Sequence, residues 1–241
     1  MKTIDINCDL GEGMNNDAQI MPHISRCNIA CGGHAGDAEI MNRSIDFALE
    51  HGVAIGAHPS YPERYNFGRK SMDMAPEVLK NTLITQIHEL SRFARQHGTQ
   101  LSHVKPHGAL YHDLASNSEL GRIFLEAVAE VLGETVIITA PYSVLFKAPP
   151  QGQKHTIWSE GFIDRGYHSD LRLVSRGQEG AIIHNPDHAY QQFLSLCNGQ
   201  INSVEGQTIP ILVNTCCLHS DHPNALSIAQ RIGQNSGNYE V

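Results

Sequence analysis

Short apolar runs that end on a titratable residue and then give way to a helical pattern recur along this chain, and that recurrence narrows the fold more than any other feature. Residues 26–31 read as a buried strand, Gly32 and Gly33 let the backbone turn, and His34 follows at once. Asp37 is then placed to cap a helix over 38–50, whose apolar side is Ile40, Met41, Ile45 and Leu49. The same sequence of events repeats. Residues 3–7 form a strand before the polar turn 8–13, in which Asp5, Asn7 and Asp9 share one face if the extended backbone persists. Residues 53–57 lead to His58, 101–104 to Lys105 and His107 around Pro106, 156–159 to Glu160, and the long apolar run 209–217 to His219 and Asp221. A weaker strand is expected at 135–139, with a break at Pro141, and another at 181–183. Helices are expected from Pro76 to about His97 with Gly98 as the stop, over 118–132 capped by Asn117, over 186–197, and over 224–232.

Continuous apolar strands alternating with amphipathic helices are the pattern of a parallel sheet covered by helices. The expected fold is therefore α/β, a (β/α) barrel of seven or eight mostly parallel strands, in one domain over residues 1–241. In such a barrel the strand ends share one rim, so Asp9, His34, His58, His107, Glu160 and His219 are expected to line one pocket. The loop from His58 to Arg69, rich in Pro, Gly, Tyr and Arg, is read as a cover for that pocket or as packing between neighbours. Residues 147–154 are read as a surface loop. Arg165, beside Glu160 and Asp164, reads either as a structural ion pair or as a clamp for a substrate carboxylate.

Charge and composition narrow the partners. With 25 acidic against 17 basic residues and no basic cluster, neither nucleic acid nor an anionic membrane is expected, and a small-molecule substrate is. The six cysteines include no C-x-x-C pair and are expected to be reduced and structural. The N-terminal residues enter a strand without an apolar signal region, and no stretch has membrane-spanning length, so a cytoplasmic location is expected.

Five motifs carry a family resemblance: DINCDLGE at 5–12, NIACGGHAGD at 28–37, GAHPSYP at 56–62, VKPHGALY at 104–111 and EGFIDR at 160–165. Across nearly its whole length the chain resembles the LamB/YcsF proteins, which form one of the subunits of the bacterial ATP-dependent 5-oxoprolinase. The resemblance implies a distorted barrel related to sugar deacetylases, hydrolysis of 5-oxo-L-proline to L-glutamate coupled to ATP hydrolysis, and two partner subunits. Gly33 stands where the family usually has Phe, Leu171 where it has Gly after Asp170, and Ser220 where it has Gly. No Walker-type G-x-x-x-x-G-K-[ST] and no G-x-G-x-x-G occurs, so a site for ATP is unconventional or lies on a partner.

The candidate catalytic set is Asp9, Glu12, His34, Asp37, His58, Lys105, His107, Glu160, His219 and Asp221, with Asn7, Asn28, Arg165 and Tyr111 for binding substrate. Asp9 with two of His34, His58 and His107 has the composition of a site for Zn²⁺ or a similar divalent cation. If no cation is bound, Glu12, Lys105 or Asp221 must supply acid and base, with Lys105 set against a developing oxyanion. Two other classes stay open at this point: a metal-dependent amide or sugar deacetylase, and a non-catalytic protein that binds the lactam for its partners. The possibility of a homo-oligomer is also left open.

Overall fold

In the computed structural model, residues 5–146 and 155–236 are described, the side chains of 235 and 236 excepted. Seven strands of these residues close into an all-parallel barrel: β1 (Asp5–Leu10), β2 (Arg26–Ala30), β3 (Ala54–His58), β4 (His103–Val104), β5 (Val136–Thr139), β6 (Thr156–Phe162) and, closing it, the strand Thr215–His219. The helices α1 (Asp17–Ile20), α2 (Ala38–His51), α3 (Pro76–Gln96), α4 (Gly108–Ser116), α5 (Ser118–Leu132), α6 (Pro186–Cys197) and α7 (Ala225–Ser236) complete these residues' α/β design. Between α6 and the closing strand, β7 (Gln200–Asn202) and β8 (Thr208–Pro210) pair antiparallel outside the barrel, which makes the closing strand β9.

Local chemistry explains the helix ends. Asp37 accepts from the Ile40 amide at 2.9 Å, and Asn117 accepts from Glu119 and Leu120, so each cap satisfies amides that the first turn leaves free. Gly52, at φ +67°, closes α2 in the left-handed conformation. The facing sides of α3 and α5, with Leu79, Leu83, Leu90, Ile123, Phe124 and Val128 among them, are buried in one apolar cluster with Ile55, Val104 and Ile137 of the barrel strands. No helix of the described residues is long and apolar enough to cross a membrane. None of the six cysteines is in a disulfide.

Several boundaries differ from the sequence pattern. β1 continues through Asp9 to Leu10, and β6 through Glu160 to Phe162, because parallel pairing with β9 continues past the apolar stretch. The expected strand 209–217 divides: residues 208–210 leave for the small hairpin, Leu212 is 85% exposed, and only Thr215–His219 enters the barrel. Residues 181–183 contribute one isolated bridge, Arg165 to Ile182, in place of a strand. Helix α4 escaped the reading of 104–111 as a strand end, although Leu110 and Leu114 have helical spacing and are both buried. The surface-loop reading of 147–154 lies outside the described residues.

Candidate active site

Parallel register is what assembles the site. Asp9 aligns with Asn28 on β2 and with His219 on β9, while Gly56 aligns with His103 on β4. Alternation then sends Asn7, Asp9, Asn28, His58, His103, Lys105, Glu160 and Thr215 into one connected polar network. A side chain at Gly56 would place a Cβ 2.2 Å from the His103 ring, so glycine is what admits the imidazole.

The lower layer is densely hydrogen-bonded. Lys105, 2% exposed, sets its ammonium 2.9 Å from Asp9, 2.9 Å from Glu160 and 3.2 Å from the Asn7 carbonyl oxygen. Asn7 donates to Glu160 and Thr215, and Asn28 donates to Asn7 and Asp9. His103 bridges Asn28 and Ser102. Burial opposes the Asp9 charge, but His58 and Lys105 outweigh it and hold the carboxyl well below its usual range. Burial lifts Glu160, with Lys105 pulling the other way. Burial also pushes His58 and His103 down to about 3, so both rings are neutral at pH 7.

The upper layer has a different make-up. A carboxylate oxygen of Glu12 lies 3.0 Å from His34 Nε2, 3.2 Å from His107 Nδ1 and 3.7 Å from His58 Nε2. Burial works against this charge, and the neighbouring His107 and His34 rings overcome it, keeping Glu12 well below its usual range. His34 stacks on His107 with ring centres 3.6 Å apart, and Phe67 packs edge-on against both. The loop between β3 and α3 therefore covers the histidines.

Glu12 and His107 also form part of the floor of a cleft of about 580 Å³. His219 lies on the same surface, its Nδ1 held 2.9 Å from Asp164. Arg69, Arg165, Arg172 and Arg176 stand along the wall. Arg165 donates to the carbonyls of Ala181 and Val174, which fix its guanidinium at the cleft, and burial together with Arg176 nearby lowers its pKa. Asp221 pairs with Arg69 and, at 3.4 Å, with Arg176, so it organises the wall.

The expected residues thus separate by position. Glu12, His107, His219 and Arg165 face the cleft; His34, His58 and Asp9 lie directly behind them; Lys105, Glu160, Asn7 and Asn28 occupy the barrel interior. Tyr111 is buried against Phe162. Asp37 is exposed and caps α2, away from the cluster. Sequence reasoning missed Arg172 and Arg176, which sit in a stretch without periodicity, left Arg69 without a role, and read Asp164 as an ion-pair partner of Arg165 where it holds His219.

Comparison with known proteins places these features in a family context. The LamB/YcsF family matches over residues 4–241. The component designated A of the 5-oxoprolinase of Carboxydothermus hydrogenoformans is 41% identical, over 100% of this chain and 96% of its own. The corresponding component from Bacillus cereus is 40% identical, over 96% and 94%. Among solved structures, the lactam utilization protein from Thermus thermophilus superimposes with a TM-score of 0.90 at 30% identity, covering 98% of this chain and 96% of that one.

Proposed function

The chain belongs to the LamB/YcsF family, and on that premise we propose that it serves as the corresponding component of a 5-oxoprolinase, opening 5-oxo-L-proline to L-glutamate with ATP hydrolysis and two partner subunits. The observation that carries this reading is the cleft, with acid–base groups on its floor and guanidinium groups on its wall. On a chain of net charge −8, four arginines around one opening favour a small anion, and 5-oxoproline carries one carboxylate.

A lactam carbonyl is a poor electrophile, so ring opening needs a base for the attacking water, a proton for the departing nitrogen and an anchor for the substrate. Glu12 is the base: it stays ionised despite burial and reaches the cleft. His219 in its imidazolium form is the donor: its Nδ1 hydrogen goes to Asp164, that bond fixes the ring, and its Nε2 hydrogen is the one given to the amide nitrogen. Burial opposes the Asp164 charge, and His219 more than offsets it, so Asp164 stays ionised beside the ring. Arg165 anchors the substrate carboxylate. As water adds to the carbonyl carbon, its proton passes to Glu12; when the C–N bond breaks, the nitrogen takes the proton from His219. Lys105 takes no part in this, since its ammonium is already shared among Asp9, Glu160 and Asn7. With no phosphate loop in the sequence, ATP is assigned to a partner.

The test measures glutamate and ADP from 5-oxoproline and ATP, using the chain alone and then with its two partners. Turnover only in the complex is expected. Full ATP-dependent turnover by the chain alone would refute the division of labour. His107→Gln separates enzyme from carrier: 5-oxoproline binding retained with the rate lost supports an enzyme, and binding lost in proportion to rate supports a carrier.

A further inference from the structure

The rim histidines present a hydrogen-bond conflict. His58 Nδ1 lies 2.8 Å from the Lys105 carbonyl oxygen, and a carbonyl can only accept, so the ring hydrogen is on Nδ1 and Nε2 carries a lone pair. His107 Nε2 lies 2.8 Å from the Phe67 carbonyl oxygen, so Nε2 carries a hydrogen and in the neutral ring Nδ1 carries the lone pair. These two lone-pair nitrogens face each other at 2.9 Å, with the Glu12 carboxylate 3.2 Å from one and 3.7 Å from the other. Three electron-rich atoms converge with no hydrogen between the two nitrogens.

We propose that this point holds one divalent transition-metal ion, bound by His58 Nε2, His107 Nδ1 and a carboxylate oxygen of Glu12. A tetrahedral ion with bonds of about 2.0–2.1 Å sets its ligand atoms roughly 3.3 Å apart. The observed separations of 2.9, 3.2 and 3.7 Å bracket that spacing. The support around the ligands matches as well: each metal-facing imidazole donates its far hydrogen to a backbone carbonyl, which fixes tautomer and orientation.

His34 is a support for the site. Its ring is parallel to that of His107, within 2°, at 3.6 Å, so the in-plane lone pairs of the two rings do not meet at one point. Its Nε2 instead donates to Glu12 at 3.0 Å and orients the carboxylate. Asp9, the carboxylate expected from sequence, has one oxygen held by Lys105 and Asn28 at 2.9 and 2.8 Å, and Glu12 takes the ligand position. Glu12 and His107 line the cleft, so solvent or substrate shares access to the ion. Such an ion supplies Lewis acidity when bound. The assignment stands on ring geometry and does not depend on the substrate reading above: the ligand atom is Glu12 Oε1, and the base role falls to the other carboxylate oxygen.

The test uses full-length untagged protein, stripped with a chelator and titrated with Co²⁺, read by visible absorption and by elemental analysis. One Co²⁺ per chain is expected, with the intense bands of a tetrahedral site, displaced by Zn²⁺. Disturbing a supporting residue alone weakens metal sites by about 10–100-fold, so Glu12→Gln and His58→Gln should weaken binding by more than about 100-fold. Glu12→Asp, which keeps the carboxylate, should recover part of it, and circular dichroism establishes that each variant is folded. Wild-type protein that binds Co²⁺ no more tightly than folded Glu12→Gln would overturn the proposal and mean that the two nitrogens share a proton.

Discussion

Two polar layers lie one above the other in this barrel, and they follow opposite rules. In the lower layer the Lys105 ammonium spans Asp9 and Glu160, and the amides of Asn7 and Asn28 and both ring nitrogens of His103 have partners. In the upper layer the facing nitrogens of His58 and His107 stand 2.9 Å apart beside a carboxylate, and His34 Nδ1, like Glu160 Oε2 of the lower layer, is buried without a partner among the described residues. Buried polar groups are normally satisfied, because each unsatisfied one costs about 1–3 kcal/mol. Apart from Glu160 Oε2, the lower layer is therefore explained by folding, whereas the upper layer is explained by the chemistry proposed for it.

The strongest way to break this comparison is to remove the one ammonium that joins the lower carboxylates. Lys105→Met leaves Asp9 and Glu160 buried without their common cation and should destabilise the protein by about 3–5 kcal/mol in urea unfolding. Glu12→Gln removes a charge that no ammonium or guanidinium holds and keeps the side chain's shape, so it should stay within about 1 kcal/mol of wild type in metal-free buffer. Equal losses in the two variants would erase the distinction between the layers.

How each layer is written in the sequence differs too. The strands were legible because parallel strands buried on both faces read as apolar runs, and the residues just past them were found for the same reason. Distances across a barrel are set by register, which no local pattern encodes. The tautomers of His58 and His107 were hidden altogether, since they are fixed by the backbone carbonyls of Lys105 and Phe67. The arginine wall was also hidden, because Arg172 and Arg176 sit in irregular backbone that bends back to the cleft. Asp37 drew attention as a carboxylate beside a histidine, yet its geometry is that of a helix cap.

The lower layer can be sharpened by pH. His103 is fully buried with its pKa down at about 3, while an unfolded histidine titrates near about 6.5. Between those values the unfolded chain binds the extra proton, so stability falls as pH drops, by up to about 1.4 kcal/mol per pH unit for each such group. His58 acts in the same direction. His103→Gln should remove about one proton's share of the slope between pH 6 and 5, where carboxylates contribute little. Unfolding midpoints across that range check it; an unchanged slope would mean that His103 is not buried as a neutral ring.

The smallest expected effect lies on the cleft wall, the region least constrained by the barrel. Leu171 adopts φ +66°, a conformation that costs a non-glycine residue about 1–2 kcal/mol, in a turn closed by His168 and Arg172. Leu171→Gly relieves the strain but frees the unfolded chain by about 0.5–1 kcal/mol and gives up the side chain's packing against the core. The net change should lie within about 1 kcal/mol, a shift of roughly 2–4 °C or less in Tm. Arg172 follows directly on this turn and lines the cleft, so the looser backbone should raise KM for 5-oxoproline while leaving kcat near its original value. A fall in kcat at constant KM would place this turn in the chemistry of the upper layer and remove the boundary between wall and floor.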